Sequence, residues 1–389
     1  MQRAIVGFRV LQATLFENKK GVVEMKAGFR HVVMVIYDGV ENSVFESQVV
    51  APLLTELEED GSLQVTVISF ERSFPRASTL KKNFPAHDRL HLILAQRLPF
   101  FGKVSLRAAV SQLVRILKEE GGSELRARGP LAGWVLLQAV QQLANIEAIL
   151  RGFIPPVLIQ ARGLAAEEHR YASSHASFNP VWLLKDYILC RLLAAVEKEV
   201  YGYRGLLIDM GRFTLETVSI ALGDYLKKTF QADPGVLTLA VRDITPRIDA
   251  ERVATLRIKK RAELGIAPQA NVYLYSGSFK PWQCAQETIA EAATILRKDP
   301  QAFFLVLSGD VEKFNSAIKA ASIDMNRCLI TCIPSAKLTE YLAVADTGFL
   351  LREPHVINWV SRPTKLLEYR AVGLEIRHNN TVGCLVNRA

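Results

Sequence analysis

Short apolar runs rich in β-branched residues recur along the chain and alternate with stretches of helical periodicity. A continuous run of this kind is typical of a strand buried in a parallel sheet. The pattern predicts a first set of strands at His31–Tyr37, Gln64–Phe70, Leu90–Leu94, Val157–Gln160 and Leu206–Ile208. It predicts a second set at Val236–Val241, Val272–Tyr275, Phe303–Leu307, Cys328–Ile333 and Thr347–Leu351.

Amphipathic stretches separate these runs and predict helices. In the first half they cover Ser43–Leu57, Val104–Glu119, Gly129–Ile146, Pro180–Tyr201 and Thr214–Phe230. In the second half they lie near 250–264, 284–298, 311–321 and 335–345. The stretch Gly129–Ile146 is uncharged, but its polar residues recur at i, i+3, i+4 and i+7. That spacing indicates an amphipathic helix rather than a membrane span.

Alternation of strands and helices predicts an α/β protein made of two tandem Rossmann-like domains. The turn-rich segment Gln231–Gly235 is the predicted boundary, which gives an N-terminal domain at 25–234 and a C-terminal domain at 235–389. Residues 1–24 are expected to be a disordered extension. Ligands of such domains bind at the carboxyl ends of the strands, so we expect the active site in the cleft between the domains.

Composition narrows the class of partner. The chain has 389 residues, of which 49% are apolar and 22% charged, and this balance is typical of a globular protein. Its net charge of +9 favours an anionic partner such as a nucleic acid, a membrane surface or a phosphorylated small molecule. Five cysteines without metal-ligand spacing indicate a reducing compartment. The first thirty residues lack a continuous apolar segment, so no secretory signal is predicted.

The segment Ser361–Gly383 carries the densest set of chemical features. Pro363 suits the start of a helix and Gly373 suits its end, while Leu367, Ala371 and Leu374 form an apolar stripe. Lys365 and Glu368 lie three residues apart and project close together. A lysine in the first turn opposes the helix dipole, so an anion such as phosphate is a reasonable ligand there. The alternative is an ordinary surface ion pair.

PTKLLEYRAVGLEI, followed by NNTVG, resembles the donor-binding segment of the retaining nucleotide-sugar glycosyltransferases of the GT-B fold. In that family the glutamate of this helix binds the ribose of the donor, which the resemblance carries to Glu368. The loop after the next strand faces the donor, which carries to Thr381 and Val382. The resemblance implies a glycosyltransferase that needs no metal or other cofactor, and the chain shows no D-x-D at a suitable strand end.

The resemblance extends to Tyr275–Gln283, which is similar to the family's glycine turn near the donor diphosphate. Gly277 lets the backbone approach a phosphate, and Ser278 stands where the family usually has arginine. Negative charge builds on the leaving diphosphate as the glycosidic bond breaks, so Lys280 and Lys365 are the predicted catalytic cations. The alternative for Lys280 is a solvated loop lysine.

On the acceptor side, candidate residues follow the strands of the first domain. They are Asp38 and Gly39 after the first strand, Arg128 in one Arg-Gly loop and Arg162 in another. Arg162 has two interpretations: it binds an acceptor phosphate or the donor, or it forms a structural ion pair with Glu167 or Glu168.

The leading prediction is a cytoplasmic, membrane-peripheral glycosyltransferase that transfers a sugar with retention from a nucleotide sugar to a lipid-linked or cell-surface glycan. Its expected partners are those two substrates and an anionic membrane surface, with no nucleic acid. The alternative is a non-catalytic binding module with a degenerate site. Departures from the family pattern favour that alternative, namely Val360, Arg370, Glu375 and Arg377. The C-terminal domain is also expected to lack a final helix.

Overall fold

The computed structural model describes residues 30–42, 45–144, 154–174, 180–240 and 247–386. The chain divides into two compact units, Met1–Ala240 and Val241–Ala389. Each unit is built on a parallel sheet with helices, as the alternating pattern predicts. The predicted extension, residues 1–24, lies outside the described residues.

Within the described ranges, the first unit contains a seven-stranded parallel sheet in the order β3-β2-β1-β4-β5-β6-β7. Its strands are β1 (Arg30–Ile36), β2 (Leu63–Glu71), β3 (Leu90–Gln96), β4 (Glu124–Arg128), β5 (Val157–Ala161), β6 (Phe213–Thr217) and β7 (Leu237–Leu239). Its helices are α1 (Ala51–Glu59), α2 (Ala77–Asn83), α3 (Lys103–Glu120), α4 (Gly129–Leu143), α5 (Ala165–Ser174), α6 (Pro180–Tyr201), α7 (Leu206–Asp209) and α8 (Ile220–Phe230). A π-helical turn, Glu46–Val50, precedes α1.

The second unit, as far as it is described, contains a five-stranded parallel sheet in the order β10-β9-β8-β11-β12. Its strands are β8 (Asn271–Ser276), β9 (Ala302–Leu307), β10 (Cys328–Thr331), β11 (Thr347–Leu350) and β12 (Glu375–His378). Its helices are α9 (Ala250–Glu263), α10 (Ala285–Lys298), α11 (Val311–Ala320), α12 (Leu338–Leu342), α13 (Val356–Trp359), α14 (Thr364–Ala371) and α15 (Gly383–Val386). Apolar side chains on both faces of β8 and β9 form the core.

The predicted elements between residues 200 and 230 are partly wrong. Leu206–Ile208 is not a strand but part of the short helix α7, which follows Gly205. The strand is Phe213–Thr217, where the prediction begins a helix. Its side chains alternate between buried and half-buried, the period of two that a strand produces. The run at Leu206–Ile208 was too short to distinguish the two structures by periodicity.

The sequence pattern also failed to predict one central strand. We expected Arg128 to lie in an Arg-Gly loop, but Glu124–Arg128 forms β4, paired with both β1 and β5. Arg126 is buried there and forms ion pairs with Glu124 at 2.6 Å and Glu56 at 2.8 Å. Because these partners neutralise the charge, a strand that reads as polar can lie in the middle of a sheet.

The strand predicted at Val236–Val241 does not begin the second sheet. Leu237–Leu239 pairs with Leu215–Thr217 and is therefore the last strand of the first sheet. The predicted boundary after residue 234 assigns this strand to the wrong unit. The turn-rich composition of 231–235 marks the connection between α8 and β7 instead.

Each sheet has a point at which the strand order reverses. In the first sheet it lies between β1 and β4, and in the second between β8 and β11. Chain connections leave the sheet on opposite faces there and open a crevice at the carboxyl ends of the two strands. The residues that follow these four strands are therefore the first candidates for a binding site.

Candidate functional site

Gly277 directly follows β8 at the reversal point of the second sheet. Its φ of 142° is a value that other residues rarely adopt. A Cβ atom at this position would collide with the ammonium group of Lys365 and, at 2.5 Å, with Oε1 of Gln283. The backbone conformation favours glycine here, and the end of a lysine side chain from another element occupies the space beside it.

Lys365 lies in the first turn of α14 and is only 9% exposed. Its Nζ donates a hydrogen bond to Oε1 of Gln283 at 2.8 Å and lies 4.5 Å from the centre of the Tyr275 ring. Burial holds the pKa of Lys365 well below its usual value, and repulsion from Arg352 lowers it further. The helix N-terminus, whose dipole is positive, provides no compensation for this charge.

Glu368 lies one turn after Lys365 on the same helix and is half-buried. Burial raises the pKa of its carboxyl group, and the nearby Lys365 opposes that rise. The expected proximity of the two charges is therefore present. The stripe of Leu367, Ala371 and Leu374 is buried, and Gly373 has a φ of 73°, as expected for the residue that ends this helix.

Ser278 and Lys280 continue the glycine turn away from this cluster. The backbone carbonyl of Ser278 accepts a hydrogen bond from the Tyr275 hydroxyl at 2.8 Å. Lys280 is exposed, and its Nζ lies 5.0 Å from the centre of the Trp282 ring. The two predicted catalytic lysines thus differ, because one is enclosed by protein and the other is solvated at the surface.

Thr381 and Val382 lie in the loop after β12. The Thr381 hydroxyl donates to the carbonyl oxygen of Arg352 at 3.0 Å. Val382 is 1% exposed and packs against Leu350 and Leu366. The side chains of this loop therefore stabilise the segment after β11, which leaves the loop backbone for any contact with a ligand.

A second candidate cluster occupies the reversal point of the first sheet. Asp38 and Gly39 follow β1, and Arg128 ends β4. They line a shallow depression whose other walls are Ile36, Asn42, Phe45 and Val49. Gly39 has a φ of 81°, and the N–H of Val40 donates to the buried carboxylate of Glu71 at 2.9 Å. Three predicted acceptor-side residues are thus brought together.

Opposing charges face one another in this depression. Asp38 reaches solvent, but the surrounding protein raises its pKa, while Arg128 and Arg97 oppose the rise. Burial and the nearby Arg162 lower the pKa of Arg128 to about 10. Arg128 also donates hydrogen bonds to the backbone and side chain of Gln48. The depression therefore combines a carboxylate and a guanidinium with apolar walls.

Arg162 follows β5, one strand further along the sheet. The ion pair that the structure gives for it is with Glu216 on β6, at 3.3 Å. The expectation named Glu167 or Glu168, and Glu167 instead pairs with Arg170 at 2.8 Å. Glu216 is more distant in sequence but adjacent in the sheet, because β5 pairs with β6.

The described residues contain no group of histidine, cysteine or acidic side chains arranged to hold a metal ion. Among the same residues, no helix is long and apolar enough to cross a membrane.

No protein-family model matches the chain, and no curated protein is similar to it in sequence. Solved structures are similar in fold. WaaG, a glycosyltransferase involved in lipopolysaccharide biosynthesis, is 15% identical over 90% of this chain and 82% of that chain, with a TM-score of 0.55. Sucrose-phosphate synthase from Thermosynechococcus elongatus is 14% identical over 91% of this chain and 82% of that chain, with a TM-score of 0.56. HepE from Anabaena, in complex with UDP and glucose, is 12% identical over 91% of this chain and 82% of that chain, with a TM-score of 0.54.

The chain has the GT-B fold. Gly277 and Lys365 are brought together by β8, β11 and α14, which all belong to the second unit. The expected two-domain α/β architecture is confirmed.

Two departures from the GT-B sequence pattern have a structural explanation. Glu375 and Arg377 lie on β12, which is the edge strand of the second sheet. Both side chains are exposed, and Arg377 forms an ion pair with Glu291 on α10. Charged side chains are common on edge strands, where they oppose pairing with other chains. The charge of these two residues therefore suits their place at the edge of the sheet.

The sequence prediction missed three residues of the cluster around Gly277 and Lys365. The Tyr275 hydroxyl donates to Oε1 of Gln283 at 3.2 Å, and both residues contact the Lys365 side chain. Arg352 follows β11, is 8% exposed, and its Nη1 is buried without a hydrogen-bond partner in the described structure. A signal for Arg352 was available, because it directly follows the strand predicted at Thr347–Leu351. Without the strand order, nothing distinguished that position from other strand ends.

Proposed function

We propose that this protein is a glycosyltransferase that transfers a sugar, with retention, from a nucleotide sugar to a lipid-linked or cell-surface glycan. The observation that carries the proposal is the buried ammonium group of Lys365 beside the Gly277 turn, at the reversal point of the second sheet. A buried cation next to an accessible glycine backbone suits a diphosphate, since both can approach its oxygens.

The chemistry of transfer needs such a cation. As the bond between the sugar and the diphosphate breaks, negative charge accumulates on the leaving oxygen. A fixed positive charge in a poorly solvated site stabilises that charge more than it stabilises the ground state. We assign this role to Lys365. Lys280, which is exposed, is assigned a weaker role in attracting the donor to the turn.

Glu368 is assigned to the ribose of the donor. It is half-buried on the same helix as Lys365, so the lysine and the glutamate present a cation and an acceptor one helical turn apart. Hydroxyl groups of a ribose donate well to a carboxylate. The neighbour HepE is in complex with UDP and glucose, which supports a nucleotide-sugar donor here.

For the acceptor we propose the depression in the first unit. Asp38, which is exposed at the mouth of the depression, offers an acceptor for the hydroxyl groups of a sugar. Arg128 and Arg162 favour an acceptor that carries a phosphate or carboxylate. The neighbour WaaG is involved in lipopolysaccharide biosynthesis, which supports a glycan acceptor of the cell surface.

The decisive experiment begins with donor binding. Thermal-shift measurements with UDP, GDP and ADP identify the base, and incubation of the matching nucleotide sugars with glycan acceptors then tests transfer. The coupling constant of the anomeric proton in the product distinguishes retention from inversion. Stabilisation by one nucleotide without turnover on any acceptor would favour the non-catalytic alternative, for which Val360 and Arg370 remain the supporting residues.

Replacement of Glu368 tests the ribose contact. Glu368→Ala is expected to weaken binding of the nucleotide by roughly 10- to 100-fold, because a hydrogen bond to a charged group contributes about 1.5–3 kcal/mol. Glu375→Ala, at an exposed position of the edge strand, is the matched control and is expected to bind normally. Equal affinities of the two variants by calorimetry would contradict the assignment.

The net charge of +9 supports a further part of the proposal, weak association with an anionic membrane surface. Co-sedimentation with vesicles that contain phosphatidylglycerol, compared with vesicles of phosphatidylcholine alone, tests it. Equal sedimentation with both would exclude an electrostatic association.

A further inference from the structure

Arg352 occupies the strand end that faces Gly277 across the reversal point of the second sheet. Gly277 follows β8 and Arg352 lies just beyond β11, and these two strands are neighbours in the sheet. A ligand at this crevice contacts residues that follow both strands. The lysine cluster described above accounts for the β8 side, and Arg352 is the corresponding residue on the β11 side.

The guanidinium group of Arg352 is enclosed but incompletely satisfied. The residue is 8% exposed, and Nη1 has no hydrogen-bond partner in the described structure. A buried donor without a partner costs about 1–3 kcal/mol, and more when it is charged. Most buried polar groups avoid this cost, so an unsatisfied one needs an explanation such as a ligand.

The backbone of Arg352 is held firmly in place. Its N–H donates to Oδ1 of Asn379 at 3.2 Å, and its carbonyl oxygen accepts from Nδ2 of Asn379 at 2.7 Å. The Thr381 hydroxyl donates to the same carbonyl oxygen. The loop after β12 thus fixes Arg352 by its main chain, while its buried Nη1 has no hydrogen-bond partner in the described structure.

Arg352 and Lys365 are close enough to repel each other. Burial lowers the pKa of each group, and the charge of Arg352 lowers the pKa of Lys365 further. Glu368 is the carboxylate that acts on Lys365 from the same helix. Two basic groups beside one carboxylate in a buried site favour a bound anion, because the anion stabilises the charged forms of both.

We propose that Arg352 binds the pyrophosphate group of the donor together with Lys365. Its guanidinium group, on the segment after β11, takes the place of the arginine that the family usually has where this chain has Ser278. The identity of the donor as a nucleotide sugar rests on the proposed function. Because the guanidinium and the amino group come from different elements, each can bind a different phosphoryl group, so the pair favours a diphosphate over a monophosphate.

The experiment compares the wild-type chain, Arg352→Gln and the control Arg370→Gln, which removes an exposed arginine of α14. Binding of inorganic pyrophosphate, inorganic phosphate, and the di- and monophosphates of uridine, guanosine and adenosine is measured by calorimetry. Arg352→Gln is expected to lose roughly 10- to 100-fold in affinity for pyrophosphate and for the preferred diphosphate, but much less for the monophosphate. The control is expected to match the wild type.

The melting temperature of the unliganded protein distinguishes a binding role from a structural one. Because Nη1 has no hydrogen-bond partner among the described residues, Arg352→Gln is expected to melt at or above the wild-type temperature. Arg352→Met is the second variant, since its apolar side chain leaves no polar group buried. If both variants are unfolded, or if folded variants bind pyrophosphate as the wild type does, the inference is wrong.

The same measurements separate this inference from the proposed function. A wild-type protein that binds pyrophosphate through Arg352 but transfers no sugar would contradict the proposed function and support the inference. A wild-type protein that binds neither pyrophosphate nor any nucleoside diphosphate would overturn both.

Discussion

Lys365 combines a position in the first turn of a helix with nearly complete burial. Neither condition favours a charged ammonium group, and burial holds its pKa well below the usual value. An anion beside it reverses that effect by stabilising the charged form. Binding of a diphosphate should therefore be coupled to the uptake of a proton by this residue.

This coupling gives a prediction with a definite sign. The affinity for pyrophosphate should fall as the pH rises through the pKa of Lys365 in the free protein, because the neutral amine must first be protonated. Calorimetry in buffers of different ionisation enthalpy measures the proton uptake. Lys365→Met should abolish the uptake and lower kcat more than it raises the KM for the donor. An effect on KM alone would make Lys365 only a ground-state contact.

Glu197 on α6 provides a prediction about stability. It is 2% exposed, accepts a hydrogen bond from the N–H of Ala166, and burial raises its pKa to about 8. The folded protein therefore binds a proton that the unfolded chain has released between the usual glutamate value of 4.5 and 8. Over that range the free energy of unfolding falls as the pH rises, with a limiting slope of about 1.4 kcal/mol per pH unit.

Glu197→Gln should remove this part of the pH dependence, since the amide oxygen can still accept from Ala166 and does not ionise. Urea unfolding of both proteins between pH 5 and pH 8.5 is the measurement. Glu124→Gln, at a position that is half-buried in an ion pair, is a comparison that keeps Glu197 intact. Parallel curves for the wild type and Glu197→Gln would show that Glu197 is ionised in the folded protein.

At the scale of elements, the glycine turn after β8 is shaped by a helix that lies far away in sequence. Gly277→Ala would place a methyl group against the ammonium group of Lys365 in a backbone conformation unfavourable to alanine. We expect a loss of about 1–3 kcal/mol in stability together with weakened binding of the diphosphate, because Lys365 must move. Denaturant unfolding and calorimetry measure the two effects.

Gly309→Ala is the matched control for this substitution. Gly309 follows the neighbouring strand β9, its φ is not positive, and a Cβ atom there has open space. This variant should keep both stability and binding. If Gly277→Ala behaves in the same way, the turn does not depend on the absence of a side chain.

At the scale of the whole molecule, the position of β7 defines the first unit. Thr217 and Leu239 pair at its end, so the first sheet continues to Ala240. A chain that ends at Ala240 should melt several degrees higher than one that ends at Asp233, because the shorter chain exposes the edge of β6 and loses the contacts of β7. Equal melting temperatures, measured by circular dichroism, would show that β7 contributes nothing to the first unit.

The sequence by itself determined the class of fold and one half of the candidate site. Buried parallel strands are continuous apolar runs, and the helices between them have apolar stripes, so the α/β alternation is a local property. Gly277, Lys365 and Glu368 could be found because a glycine turn and a helix start are local features. Where the local signal was weak or misleading, as at β4 with its internally paired Arg126, the prediction failed.

The tertiary structure determined which strands and which residues are neighbours. Strand order placed Gly277 opposite Arg352 and assigned β7 to the first sheet, and neither follows from periodicity, since any order of the same strands buries the same apolar faces. Burial then changed the chemistry: the same residue type is a solvated surface cation at Lys280 and an enclosed one at Lys365. The charge of a side chain is written in the sequence, but its solvation and its neighbours depend on contacts between segments far apart in the chain.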